Sequence, residues 1–329
     1  MAGGKRALAA GATLVGLFFA LGALAPWLAP HPPNEQHDPL AAGDRPPATR
    51  MTCLELADGR RLCGDRCEPL ALGGFRLERQ GEWREVAADD LAAGPSGQPH
   101  RLRFPLGTDR YARDLYSRLL YGARVSMTLS LVSVLLALSL GVGVGSIAGT
   151  ARPWLDHALM RLVDALLAVP SLVLILALSA LFRPGNGLLV LVLGGTGWME
   201  VSRLVRAEIK DVAARDFILA AEAAGLPSWR IVVGHLLPNS LAPVLAMGPI
   251  LVGNIILAES ALSFLGMGIQ PPQASWGTII NDGRDSLPQA WWVSLLPGVA
   301  IALAVIGWNL LGEGLKQRLD PRQRSQSSE

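Results

Sequence analysis

The stretch "FILAAEAAGLPSWRIVVGHLLPN", residues 217–239, lies between two strongly apolar runs. It is too rich in small and breaking residues to continue either run. Asp216 stands where a side chain would cap a short helix over 217–224. Phe217, Ala220, Ala221 and Ala224 fall at i, i+3, i+4 and i+7, so such a helix gathers them on one face with a single large side chain. Gly225 is placed to end it. Pro227 suits the first turn of a second helix, and Pro238 precedes the next apolar run. A connecting loop that only packs on its own chain would explain these features; so would a surface that another protein approaches closely.

Working outward, the 329 residues are 50% hydrophobic with net charge +2, and the mean hydropathy is +0.35. The distribution decides the class. The apolar residues cluster into runs of about 20, long enough to cross about 30 Å of hydrocarbon as helix. They predict an all-α membrane protein with six spans, over 7–28, 127–150, 158–182, 187–205, 241–265 and 291–311. Ala23-Leu24-Ala25 also resembles a signal-peptide cleavage site, but the first apolar run is long for a signal peptide and reads as an uncleaved span. Pro170 sits within the third span, which neighbouring helices can tolerate. Gly141, Gly143, Gly145 and Gly149 lie in the second and read as packing residues.

Lys5, Arg6, Arg152, Arg161, Arg203, Arg206, Lys210, Arg215, Arg230, Lys316, Arg318, Arg322 and Arg324 all fall on one side of these spans. The short loops of the other side hold only Arg183 and Arg284. The positive-inside rule therefore predicts both termini in the cytoplasm and residues 31–105 outside. The chain reads as a first helix over 1–30, an extracytoplasmic insertion over 31–105, a membrane domain over 106–315 and a cytoplasmic tail over 316–329.

The insertion is polar, rich in Pro and Gly, and carries all three cysteines, Cys53, Cys63 and Cys67. In "TCLELADGRRLC" a three-residue loop at Ala57-Asp58-Gly59, with Gly59 left-handed, would set Cys53 opposite Cys63. A Cys53–Cys63 disulfide with Cys67 spare, or Cys63–Cys67 with Cys53 spare, are both open, and an outer location favours oxidation. A metal site on the cysteines lacks a fourth ligand unless His37 or His100 supplies it. "FRLERQGEWREV" alternates around Gln80-Gly81 and suggests a second hairpin. The expectation is a small, partly ordered, irregular or β-hairpin cap.

No phosphate-binding loop of the form GxxxxGK[ST] occurs, nor HExxH, CxxC or GxSxG. The chain is therefore expected to be non-catalytic. Asp164, Glu200, Glu259 and Glu313 lie in or near spans, where carboxylates are costly and are functional candidates. Glu259, Ser260 and Asn254 are the candidates for a translocation path, with a helix-packing hydrogen bond as the other account of Glu259. A proton-coupled secondary transporter is the alternative function, but the carboxylates form no ladder and no inverted repeat is apparent. A non-transporting interaction protein is a further alternative.

The 217–239 stretch resembles the cytoplasmic coupling loop of permease subunits in binding-protein-dependent ABC importers. That pattern is Glu-Ala-Ala, three residues, Gly, nine residues, Ile-x-Leu-Pro. In register with Gly225 and Leu237-Pro238, the alanines are Ala220 and Ala221, while Leu219 replaces the Glu and His235 the Ile. "HLLPN" at 235–239, "LGTDRYARDLYSRLLYGARVSM" at 106–127, "RLVDALLAVPSLVLI" at 161–175 and "AESALSFLGMGIQPPQASWGTIINDGR" at 258–284 resemble the C-type subunits of dipeptide, oligopeptide or nickel importers. Ala112 replaces the usual Gly before Arg-Asp. The resemblance runs from 106 to about 315 and does not cover the insertion. It implies a type I ABC importer permease fold in a bacterial or archaeal inner membrane. It also implies a homologous second permease, two ATPase subunits that bind ATP and Mg, and an extracytoplasmic binding protein, with no cofactor in this chain. Phe217, Ala220, Ala221, Ala224, Gly225, His235 and Pro238 would then carry the ATPase contact, with Phe217 as the buried anchor.

Overall fold

The computed structural model describes residues 2–71, 73–182 and 185–319; Arg183, Arg322 and Arg324 lie outside them. In chain order the helices are α1 (Ala2–Ala23), two short turns α2 (Ala25–Leu28) and α3 (Pro39–Ala42), α4 (Leu115–Thr150), α5 (Pro153–Leu167), α6 (Ser171–Leu181), α7 (Asn186–Ala213), α8 (Asp216–Ala223), α9 (Ser228–Ile231), α10 (Leu237–Phe264), α11 (Trp276–Gly283) and α12 (Trp291–Leu319). Between α3 and α4 lie six strands, β1 (Thr49–Glu55), β2 (Arg61–Gly64), β3 (Arg66–Pro69), β4 (Phe75–Arg79), β5 (Glu82–Val86) and β6 (His100–Phe104). The chain divides into two compact units, one of residues 1–19, 126–269 and 301–329, the other of 20–125 and 270–300.

Among the described residues five helices are long and apolar enough to cross a membrane, and α5 and α6 together make a bent apolar pair that is either a broken sixth span or a re-entrant loop. That pair corrects the expectation of one span with an internal proline. The two helices meet at an angle of 83°, and Pro170 stands between them in an extended conformation. Proline has no N–H to continue the ladder, and its ring crowds the carbonyl four residues back.

In the first unit α4 packs on α7 along a stripe of glycines. A Cβ added at Gly141, Gly145 or Gly149 would lie 2.5–2.8 Å from Val201, Ser202 or Ile209 atoms, closer than carbon atoms tolerate. Gly143, on another face of α4, has nothing within 4 Å. The packing reading thus fits three of the four glycines. α1 and α12 also approach closely, Gly11 against Leu311 and Gly314 against Leu8. Asp156 of α5, nearly buried, accepts hydrogen bonds from Arg206 and Lys210 of α7.

In the second unit the insertion is more ordered than its sequence suggests. It forms two three-stranded antiparallel sheets, β2-β1-β6 and β3-β4-β5. Leu56 and Arg60 close a loop over 57–59, Gly59 is left-handed at φ 80°, and Cys53 faces Cys63. These two cysteines are joined in a disulfide and Cys67 is free. The second hairpin turns at Gln80 and Gly81, both at positive φ, as a two-residue turn of the I′ type requires. β6 has no local signal in the sequence, because its partner β1 lies some fifty residues upstream and nothing nearby marks the pairing. Leu54, Leu77 and Val86 form a shared core between the sheets. Asp38 ties the same region together: it caps α3 at Ala41, accepts from the Cys63 N–H at 2.9 Å and pairs with Arg79 at 2.7 Å. Such charge-assisted bonds to a buried carboxylate are among the stronger ones.

Candidate functional site

Two places in the first unit carry the residues singled out by the sequence. One is the loop after α7. Asp216 is the first residue of α8, with Arg215 in the capping position, so Asp216 makes no side-chain cap. An acidic residue in the first turn still suits the positive end of the helix. At the other end the Gly225 N–H bonds the Glu222 carbonyl at 2.9 Å and the Leu226 N–H the Ala221 carbonyl at 3.2 Å. With Gly225 at φ 77°, this is a Schellman stop, for which glycine carries no Cβ penalty. Pro227 then occupies the capping position of α9, one residue earlier than expected.

Within α8, Ile218 is buried and Ala221 half-buried, so these two anchor the helix to its own chain. Phe217 is 44% exposed and Leu219 53% exposed, and Ala220 and Ala224 are exposed beside them. Phe217, Ala220 and Ala224 make one exposed stripe, and Leu219, Glu222 and Ala223 are exposed elsewhere around the helix. Ala221 sits at the edge of the stripe instead of within it, because Ile218 turns the helix by its need for burial. A π-helical turn, Val232–Leu236, leads into α10. Its Leu237 N–H reaches back to the Val232 carbonyl, a widened turn placed immediately before Pro238, which has no N–H to donate. His235 lies half-buried in that turn, and its carbonyl accepts from Asn239 Nδ2 at 2.6 Å.

The other place is a cavity of about 340 Å³ bounded by the α5–α6 break, α7 and α10. Apolar side chains, chiefly leucines and isoleucines, make most of its wall, and Ser171, Thr196, Glu200 and Asn254 supply its polar groups. The break at Pro170 is what opens the wall. Asn254 and Glu200, both named from sequence, thus meet on one cavity. Ser171 and Thr196 join them there, and sequence reasoning does not single these two out, because lone hydroxyls are common in apolar helices. Glu259 and Ser260 do not line it. Glu259 is fully buried, accepting from Ser263 Oγ at 2.7 Å and Ser126 Oγ at 3.3 Å. It fastens α10 to α4, the helix-packing role. Asp164 is exposed and 3.8 Å from Arg203; Glu313 is exposed near the end of α12.

Residues 141–325 match the family described as binding-protein-dependent transport system inner membrane component. The chain belongs to that family. It is a permease subunit of an ABC importer, a multi-span membrane protein that does not itself carry the ATPase. The di/tripeptide transport system permease protein DppC of Pseudomonas aeruginosa (strain UCBPP-PA14) is 40% identical over 242 residues, 73% of this chain and 80% of the relative. The dipeptide transport system permease protein DppC of Alkalihalophilus pseudofirmus is 38% identical over 243 residues, 74% and 78% of the two chains. The oligopeptide transport system permease protein OppC of Mycobacterium tuberculosis (strain CDC 1551 / Oshkosh) is 39% identical over 239 residues, 72% and 82%. In fold the permease is similar to a chain of the MetNI methionine ABC transporter in an inward-facing conformation, with TM-score 0.52 and 18% identity over 62% of this chain and 96% of that one. The 217–239 loop and the cavity both lie within the matched family region.

Proposed function

We propose that this permease forms half of a peptide translocation path, paired with a homologous second permease and driven through α8 by two ATPase subunits. Those subunits bind the ATP and Mg, and an extracytoplasmic binding protein delivers the peptide. The observation that carries the coupling role is the outward face of α8. Phe217 exposes a large apolar side chain beside Ala220 and Ala224, a knob and a flat surface that a partner groove can cover. Gly225 stops the helix after two turns, which keeps the element short and compact. A peptide substrate follows from the three relatives, whose printed names specify dipeptides, di- and tripeptides, and oligopeptides. The cavity suits that cargo in kind: the Glu200 carboxylate offers a partner for a peptide's ammonium group, and Asn254 for its amides. The arginine and lysine distribution supports cytoplasmic termini and an outer insertion.

The test is photo-cross-linking from position 217 in the assembled complex. An adduct with the ATPase subunit is expected from 217 and from 220, and none from Asp58 in the outer hairpin. Adducts from 217 only to lipid or to this chain would refute the coupling role.

A further inference from the structure

The segment between α2 and α3 brings together His31, Glu35 and His37. One ring nitrogen of each histidine and one carboxylate oxygen of Glu35 lie within 4.8 Å of one another. We propose that these three residues form a binding site for one divalent transition-metal ion of the zinc class.

The segment is held in place before any ion arrives. The His31 N–H bonds Ser117 Oγ at 3.3 Å, and the His37 N–H bonds the Ala112 carbonyl at 3.4 Å. Both rings rest on Phe104, and their centroids are 4.9 Å apart. His37 is 4% exposed, and its Nε2 is buried with no hydrogen-bond partner. Buried ring nitrogens seldom go unsatisfied, and the loss is about 1–3 kcal/mol when they do; a coordinate bond would remove it. His31 Nε2 lies 3.4 Å from the Arg103 carbonyl, the kind of outer contact that fixes a ligating imidazole's tautomer and leaves the other nitrogen to the ion. Two imidazoles and a carboxylate are a donor set that zinc takes, with a water completing the shell. Bringing nitrogens to about 2.0–2.1 Å from an ion needs a closure of roughly 1 Å, which half-exposed His31 and Glu35 can make.

A cation already stands at this place. Arg61 Nη1 bonds Glu35 Oε1 and lies 3.4 Å from His37 Nδ1. It occupies one oxygen of Glu35 and leaves the other. The guanidinium therefore opposes the ion by charge repulsion and by its hold on Glu35, which sets a signature that accidental surface binding lacks. Arg61 is 30% exposed and has room to swing outward.

The experiment uses the full-length chain in detergent, stripped of metal with a chelator, with Cys67→Ser to remove the free thiol. Zinc and cobalt are titrated, stoichiometry is read by elemental analysis and the coordination by the cobalt visible spectrum. One ion per chain is expected. His31→Ala and Glu35→Gln should each weaken binding by about tenfold or more, while His100→Ala, outside the cluster, should leave it unchanged. Arg61→Met should tighten binding. His37→Ala removes a packed ring and risks unfolding, so the test rests on the other variants. Unchanged affinity in His31→Ala and Glu35→Gln, or no tightening in Arg61→Met, would overturn the proposal, as would less than one ion bound at saturation.

Discussion

Gly145→Val separates a packing glycine from a merely flexible one. An ideal Cβ at Gly145 would lie 2.6 Å from the Ser202 carbonyl oxygen and 2.7 Å from Val205 Cβ. Comfortable carbon contacts begin near about 3.5 Å, so α4 and α7 would have to part by about 1 Å. The carbonyl is backbone and cannot rotate aside. Overpacking of this kind typically costs about 1–3 kcal/mol, and here the upper end applies. Gly143→Val is the control: it makes the same change in helix propensity, and no atom lies within 4 Å of its Cβ. Thermal unfolding of the two purified proteins in one detergent reads the difference. At about 2–4 °C per kcal/mol, Gly145→Val should unfold roughly 5–10 °C below Gly143→Val. Adding Val205→Ala removes the Cγ1 at 3.0 Å but keeps the Cβ at 2.7 Å, so it should recover little of the loss. Equal unfolding temperatures for the two glycine variants would refute the argument that this stripe sets the helix separation.

Asp156→Asn leaves Arg206 and Lys210 without their carboxylate; a loss of about 1–3 kcal/mol is expected, read as a lower unfolding temperature without loss of membrane insertion. Cys53→Ser opens a disulfide spanning a separation of 10 residues, costing about 2–3 kcal/mol in the chain-entropy account; limited proteolysis should then cut the two small sheets first, and an unchanged digest would contradict their dependence on it. Gly225→Val forces a β-branched residue into a left-handed conformation at a cost of about 1–2 kcal/mol and should lower transport and ATPase retention, whereas Glu222→Ala, exposed and outside the motif register, should do little; the reverse ranking would show that the literal "EAAG" is the working motif. On a Cys67→Ser background, Asp58→Cys should label from outside intact cells and Glu222→Cys should not; labelling of 222 alone would invert the topology.

The spans are legible because burial in lipid needs unbroken apolar length, which a single sequence displays directly. The glycine spacing in α4 is legible for a related reason: every fourth residue returns to one face. The α5–α6 break is not, since proline inside a span is compatible with a kink as well as with an interruption, and the neighbours decide. Both hairpins can be read from Asp58-Gly59 and Gln80-Gly81, because turn chemistry is local; β6 cannot, because its partner is distant. In the 217–239 loop the spacing places Gly225 correctly as the helix stop. It puts Ala221 on the outward face, since the pull of Ile218 toward its own chain cannot be weighed from spacing alone. Asn254 and Glu200 stand out as polar groups in apolar runs, but only folding joins them on one cavity.

Under the proposed function, this permease moves peptide only when ATP hydrolysis by partner subunits drives it. Uptake of a labelled dipeptide into proteoliposomes holding this chain, its second permease and its ATPases, with the binding protein on the outside, tests that most directly. Uptake is expected to need internal ATP and to disappear when this chain is left out. Uptake by this chain alone, driven by a proton gradient without ATP, would contradict it.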